Sequence, residues 1–246
     1  MNANAQQLQA RLKHLQKEGV LARFLADNAH KKKQQRIYTM GCGRSGSWLL
    51  TSFFSSFADT ALVPEELKAE YWGVLSSPKA NLVLKRHAHS HQQVELLPEQ
   101  ISIAWIVRHP YDVLTSHNPV SGRRFHIQPH RWLSEMLALQ YLIKTQRKNT
   151  FVYRYEDLVM SPAAAQQQIA DDFALEIIKP YDQIVENFKA SEGAKRAMHG
   201  LRPIDSHSVN KFRHSAEKIA YLKSIGDRID PLLHWCADQF GYDISL

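Results

Sequence analysis

The run Met40-Gly41-Cys42-Gly43-Arg44-Ser45-Gly46-Ser47-Trp48 carries residue types that hold an anion. Glycines let a backbone approach a ligand closely. A loop between a strand and a helix N-terminus offers free N–H groups and the positive end of the helix dipole. Gly41 and Gly46 have the spacing of a nucleotide phosphate loop, G-x-x-x-x-G-K-[ST], but Ser47 stands where the lysine belongs and Trp48 follows it. Arg44 supplies the cation that Ser47 does not, and Ser45 and Ser47 add hydroxyl donors.

A second pair lies in "VRHPYDVLTSHN", where Arg108 ends an apolar run and Ser116 falls eight residues on. An arginine fork and a hydroxyl two turns along the next helix can converge on a phosphate other than the one in the first loop. The plainer reading is an Arg108–Asp112 salt bridge with Ser116 as a cap. Other chemistries fit less well. A magnesium kinase or NTPase wants Lys and Ser/Thr at 47 and 48 and a strand-end aspartate, and the run ends in Arg108. Glu156 and Asp157 do not fill that place. A G-x-S-x-G hydrolase elbow fails at Ser47. A cysteine phosphatase loop around Cys42 would need an arginine where Trp48 stands. Helix-terminal amides could lower the Cys42 pKa, but a small loop residue explains the cysteine as well. A glycine turn that binds nothing remains the bland alternative.

Three stretches together resemble the sulfotransferases that use 3′-phosphoadenosine 5′-phosphosulfate (PAPS). "GCGRSGSWLL" is similar to their 5′-phosphosulfate loop, "VRHPYDVLTSH" to their 3′-phosphate segment R-[DN]-P-x-D-x-x-x-S, and "YRYEDLVMSP" to their Y-E-D-L stretch. The resemblance covers about residues 36 to 162 and implies a P-loop-like α/β sheet. It implies that Arg44, Ser45, Gly46 and Ser47, with Trp48 beside them, hold the 5′-phosphosulfate end. Arg108 and Ser116 would hold the 3′-phosphate, and Tyr155 would lie against adenine. Lys85 and His87 match the family's K-x-H, with the histidine as base, a residue type suited to proton transfer near neutral pH. His89, His91, Glu66 and Glu70 are rivals. Leu49 stands where an adenine-covering aromatic is usual, His109 where an acidic residue is usual, and no R-K-G run occurs near the end. "VNKFRHS" is the substitute, bringing Lys211 and Arg213 to the donor phosphates. The resemblance implies PAPS as donor, adenosine 3′,5′-bisphosphate as product, and no need of a metal.

These residues need a scaffold. Apolar runs at 36–40, 80–86 and 101–107, with "TFVYRYEDL", predict four buried parallel strands alternating with helices. Helices are expected at 47–57, 65–74, from Pro110, at 131–148, from Pro162, and at 215–225 and 231–240. Residues 118–130 and 191–214 read as loops, the latter mobile. The fold class is a central parallel sheet flanked by helices. Leucines and a phenylalanine at helical spacing make residues 1–35 an N-terminal helical extension to a domain over 36–246.

The chain has 246 residues, 44% hydrophobic, enough for a sizeable core. Two cysteines exclude a disulfide framework or a zinc site. The opening residues lack a secretory leader and no run reaches a membrane span, so a cytoplasmic protein is expected. A net charge of +7 favours an anionic ligand. The charge forms no stripe interleaved with aromatics, so a non-catalytic anion- or nucleic-acid-binding module is the lesser alternative, after a small-molecule kinase. The acceptor is a small molecule or carbohydrate; Arg123, Arg124, His126 and His130 suggest an acidic or polyhydroxylated one, or simply a solvated loop.

Overall fold

Four apolar runs form parallel strands and a fifth strand joins them at one edge. The computed structural model describes residues 34–68, 75, 77–97, 99–117, 122–183, 195 and 206–246. The strands are β1 (Gln35–Gly41), β2 (Thr60–Leu67), β3 (Asn81–Arg86), β4 (Ile101–Val107) and β5 (Thr150–Arg154), in the order β2-β3-β1-β4-β5. All four pairings are parallel. Every residue of β4 is buried, as a strand covered on both faces requires.

Side chains alternate between two apolar layers. Tyr38, Met40, Leu84, Ile103 and Trp105 face one, with Trp132 and Leu139 of α3 (Pro129–Lys144) and Leu222 and Ile229 of α6 (Ala216–Phe240). Ile37, Val83, Ala104 and Ile106 face the other, against Leu50 and Phe53 of α1 (Ser47–Phe53) and Ile169 and Phe173 of α5 (Pro162–Phe173). Two short helices follow strands directly, α2 (Pro110–Leu114) after β4 and α4 (Tyr155–Met160) after β5. Pro110 and Pro162 both open helices, where their missing N–H costs nothing.

Three expectations are corrected. Residues 65–67, expected to start a helix, end strand β2, and 69–74 lie outside the described residues. Pro64 falls inside that strand, because an edge strand tolerates a residue without an N–H. The two helices expected after 215 are one, α6, running through Pro231 because its buried stripe from Leu222 to Ala237 continues across it. The part of 191–214 that is described beyond Lys195, residues 206–214, is anchored: Asp112 accepts the N–H of Asn210 at 2.7 Å and of Phe212 at 3.2 Å, and Phe212 is buried. Of the N-terminal helical extension expected over 1–35, residues 1–33 lie outside the described residues, and Gln35 already belongs to β1. No helix among the described residues is long and apolar enough to cross a membrane.

Candidate anion-binding and transfer site

β1 ends at the centre of the sheet, and its loop crosses to α1 between the ends of β3 and β4. Gly41 and Gly46 have φ of +149° and +95°. A methyl group on Gly46 would sit 2.5 Å from the Tyr155 ring, so glycine is needed for both backbone and space. Arg44 also has positive φ, 69°. The loop is pinned by Ser45, whose N–H and hydroxyl both donate to the Cys42 carbonyl, at 3.0 and 2.6 Å. Both Ser45 donors, hydroxyl and backbone N–H, are therefore spent inside the loop, and Ser45 shapes the turn. The first turn of α1, beginning at Ser47, has N–H groups without intrahelical partners.

Arg44, Ser116, Arg108 and Tyr155 come together on one flank. Arg44 Nε donates to Ser116 Oγ at 3.0 Å across 72 residues of chain. Arg108 donates from Nη1 to the Arg44 carbonyl at 3.2 Å and from Nη2 to the Ser208 carbonyl. Its guanidinium carbon lies 4.4 Å from the centre of the Tyr155 ring. Asp112 is 3.7 Å from Arg108 but is already engaged with Asn210 and Phe212, and Arg108 Nε is buried without a hydrogen bond among the described residues. Burial, and then the neighbouring Arg108, lower the Arg44 pKa. Two crowded, partly desolvated guanidiniums beside a hydroxyl make a cationic flank suited to negative charge.

Lys85 and Glu66 meet on the opposite flank. Lys85 Nζ lies 2.5 Å from Glu66 Oε1 and 4.6 Å from the centre of the buried Trp48 ring. Burial, outweighing the pull of Glu66, lowers the Lys85 pKa to about 8. Trp48 thus lies under Lys85. His87 is half-buried at the exit of β3; its backbone N–H donates to the Leu67 carbonyl at 2.7 Å. Its Nδ1 is 3.0 Å from the Ala88 carbonyl, which favours the Nδ1–H tautomer and leaves Nε2 the proton acceptor. His89 is exposed, whereas His91 is buried with Nε2 2.8 Å from Ser134 Oγ. Glu70 lies outside the described residues.

Other predicted residues are placed differently. Lys211 is exposed, and Arg213 pairs with Asp243 at 2.6 Å. The Cys42 thiol is pushed far up by burial and then by Glu135, not down as loop amides would have it. His109 acts locally. Its Nδ1 accepts the Tyr111 N–H at 3.2 Å and its Nε2–H donates to the Asp243 carbonyl at 2.9 Å, which fixes a neutral ring whose pKa burial lowers. Glu156 accepts the His109 N–H at 2.9 Å and the Tyr242 hydroxyl at 3.1 Å. The docking of residues 206–214 by Asp112 and the burial of Glu135 against Arg86 escape a sequence reading because those partners are distant in the chain.

The architecture is shared with solved structures. The sulfotransferase domain from the curacin biosynthetic pathway superposes with a TM-score of 0.55 at 15% identity, over 78% of this chain and 98% of that one. The sulfotransferase domain of a Synechococcus olefin synthase gives 0.57 at 15% identity, over 85% and 95%. The fold is that of the sulfotransferases. A mouse sulfotransferase solved in complex with PAP gives 0.51 at 14% identity, over 85% of this chain and 88% of that one. No protein-family model matches the sequence, and no curated sequence matches it.

Proposed function

We propose that this chain is a sulfotransferase that takes a sulfuryl group from PAPS and passes it to a hydroxyl or amine of a small-molecule or carbohydrate acceptor. The observation that carries this reading is the convergence of Arg44, Ser116 and Arg108 beside Tyr155, next to a phosphate loop with serine in the lysine position. A donor with phosphates at both ends of its ribose suits two such subsites, and Arg108 Nε, which has no hydrogen bond among the described residues, suits the second phosphate. The PAP complex of the mouse protein supports the same reading.

When bound, PAPS supplies an activated sulfuryl group on a phosphate leaving group. The chain's own residues orient it and manage charge and protons. N–H groups of the first turn of α1, with Arg44, hold the leaving phosphate; Arg108 and Ser116 hold the 3′-phosphate; the Tyr155 ring offers a face for the base. Lys85, charged and desolvated over Trp48, neutralises oxygens where negative charge develops, and each such donor contributes about 3 kcal/mol. His87 Nε2 takes the acceptor proton, with Glu66 as its rival.

Nucleotide binding tests this. Adenosine 3′,5′-bisphosphate is expected to bind without magnesium and at least tenfold more tightly than ADP, measured by calorimetry. Equal affinities or a strict magnesium requirement would favour a small-molecule kinase. A mass-spectrometric acceptor screen with PAPS then identifies the product class.

A further inference from the structure

Beneath the Gly43 side of the loop lies a buried charge cluster that the donor reading does not use. Glu135 of α3 is fully buried and pairs with two arginines. Arg86 takes the close contact, 2.8 Å, and is itself buried. Arg131 is left at 3.8 Å, too far for a hydrogen bond, with 19% of its side chain exposed. Its Nε has no hydrogen-bond partner among the described residues. One carboxylate thus faces two guanidiniums, with His91 3.4 Å from its other oxygen, and the longer contact falls on the outer arginine. A partly desolvated cation whose counterion stands back at 3.8 Å gains from a ligand that supplies a closer one.

Its position indicates which ligand. A methyl group on Gly43 would come within 3.2 Å of an Arg131 terminal nitrogen and 2.8 Å of Ile127, so Arg131 lies directly against the loop. The Arg44 side chain reaches Ser116, and Tyr155 packs on Gly46. His126 sits close enough to Arg131 and Arg44 for both, after burial, to lower its pKa, and its Nδ1 is buried without a partner among the described residues. Arg131 is the partly exposed charged side chain packed against this side of the loop.

Resting on the donor assignment above, we propose that Arg131 is an anchor for a negatively charged group on the acceptor, so that the enzyme sulfates anionic hydroxyl-bearing molecules in preference to neutral ones. Glu135, one helical turn along α3, faces the guanidinium at 3.8 Å, while Arg86 keeps that carboxylate paired whether or not Arg131 is present.

The experiment has two titrations, in wild type, Arg131→Gln and Arg131→Lys. The first measures adenosine 3′,5′-bisphosphate. The second, at saturating bisphosphate, compares three matched probe pairs by ligand-observed NMR: methyl β-glucuronide with methyl β-glucoside, 4-hydroxybenzoate with 4-hydroxybenzyl alcohol, and glycolate with ethylene glycol. At least one anionic member is expected to bind wild type tenfold or more tightly than its neutral twin. Arg131→Gln should erase that preference, Arg131→Lys should restore part of it, and bisphosphate affinity should stay within twofold in both variants. Absence of any anionic preference in wild type, or its survival in Arg131→Gln, overturns the proposal alone. A tenfold loss of bisphosphate affinity in Arg131→Gln moves Arg131 to the donor site and likewise overturns it. Failure of wild type to bind bisphosphate overturns the sulfotransferase reading and the proposal with it.

Discussion

The sharpest quantitative consequence concerns Lys85. Its amine is buried against Trp48 and touches Glu66, and burial brings its pKa from 10.5 down to about 8. At 1.36 kcal/mol for each factor of ten, holding the charged form in the folded chain at neutral pH costs about 3 kcal/mol. The unfolded chain keeps the proton up to about pH 10.5 and the folded chain only to about 8, so the unfolded state binds more protons between those values. This group therefore adds stability as pH rises through that window, and its cost is fully present below it. Glu66 offsets part of the cost. Glu66→Gln removes a charge-assisted contact worth about 1.5–3 kcal/mol when fully formed. Glu66 is 40% exposed, so solvent screening reduces that, and the Lys85 midpoint is expected to move down by about one further pH unit. The assay is an NMR titration of isotope-labelled lysine side chains, with the Lys85 resonance assigned by Lys85→Met. A wild-type midpoint at or above 10, or one indifferent to Glu66→Gln, would refute the burial-and-partner account. If charged Lys85 is needed for transfer, turnover falls above pH 8 in wild type and at lower pH in Glu66→Gln.

Three further outcomes are expected. Arg108→Ala should weaken adenosine 3′,5′-bisphosphate by about 10- to 150-fold, the worth of a charge-assisted contact, whereas His87→Ala should spare binding and cut turnover about 100-fold or more; calorimetry and product formation separate the two, and normal turnover in His87→Ala passes the base role to Glu66. Gly46→Ala combines a left-handed backbone, about 1–2 kcal/mol for an L residue, with a clash on Tyr155, so thermal unfolding should show a loss above about 2 kcal/mol and bisphosphate binding should fail. Asp112→Asn should loosen residues 206–214 by weakening two backbone contacts to a carboxylate, seen as faster proteolysis there with little change in melting temperature.

Local signals carried much of this in the sequence. β1, β3, β4 and β5 were legible as apolar runs, and Pro110 and Pro162 as helix starts, because buried strands and helix openings write themselves in neighbouring residues. β2 was illegible because Pro64 and two glutamates look like a break or a helix, and only its pairing with β3 makes it a strand. Pro231 looked like a boundary for the same reason. At the site, Arg44 and Ser116 could each be picked out, but not their contact across 72 residues. Arg86, Glu135 and Arg131 gave no signal, since nothing in a single sequence marks a glutamate on a helix as fully buried.

The segment Tyr242–Ile244 is sewn onto the residues that follow Arg108. His109 donates to the Asp243 carbonyl at 2.9 Å, Tyr111 to the Ile244 carbonyl at 3.0 Å, and Tyr242 to Glu156 at 3.1 Å. Any ligand that stabilises Arg108 and the start of α2 must by mass action also suppress openings that release this segment. The Tyr242 amide hydrogen, bonded to the Ala237 carbonyl, and the amides of the helix end that holds it, more than a hundred residues along the chain from Arg108, should exchange more slowly when the Arg108 flank is filled. They form a remote gauge of occupancy that needs no turnover and no knowledge of the acceptor.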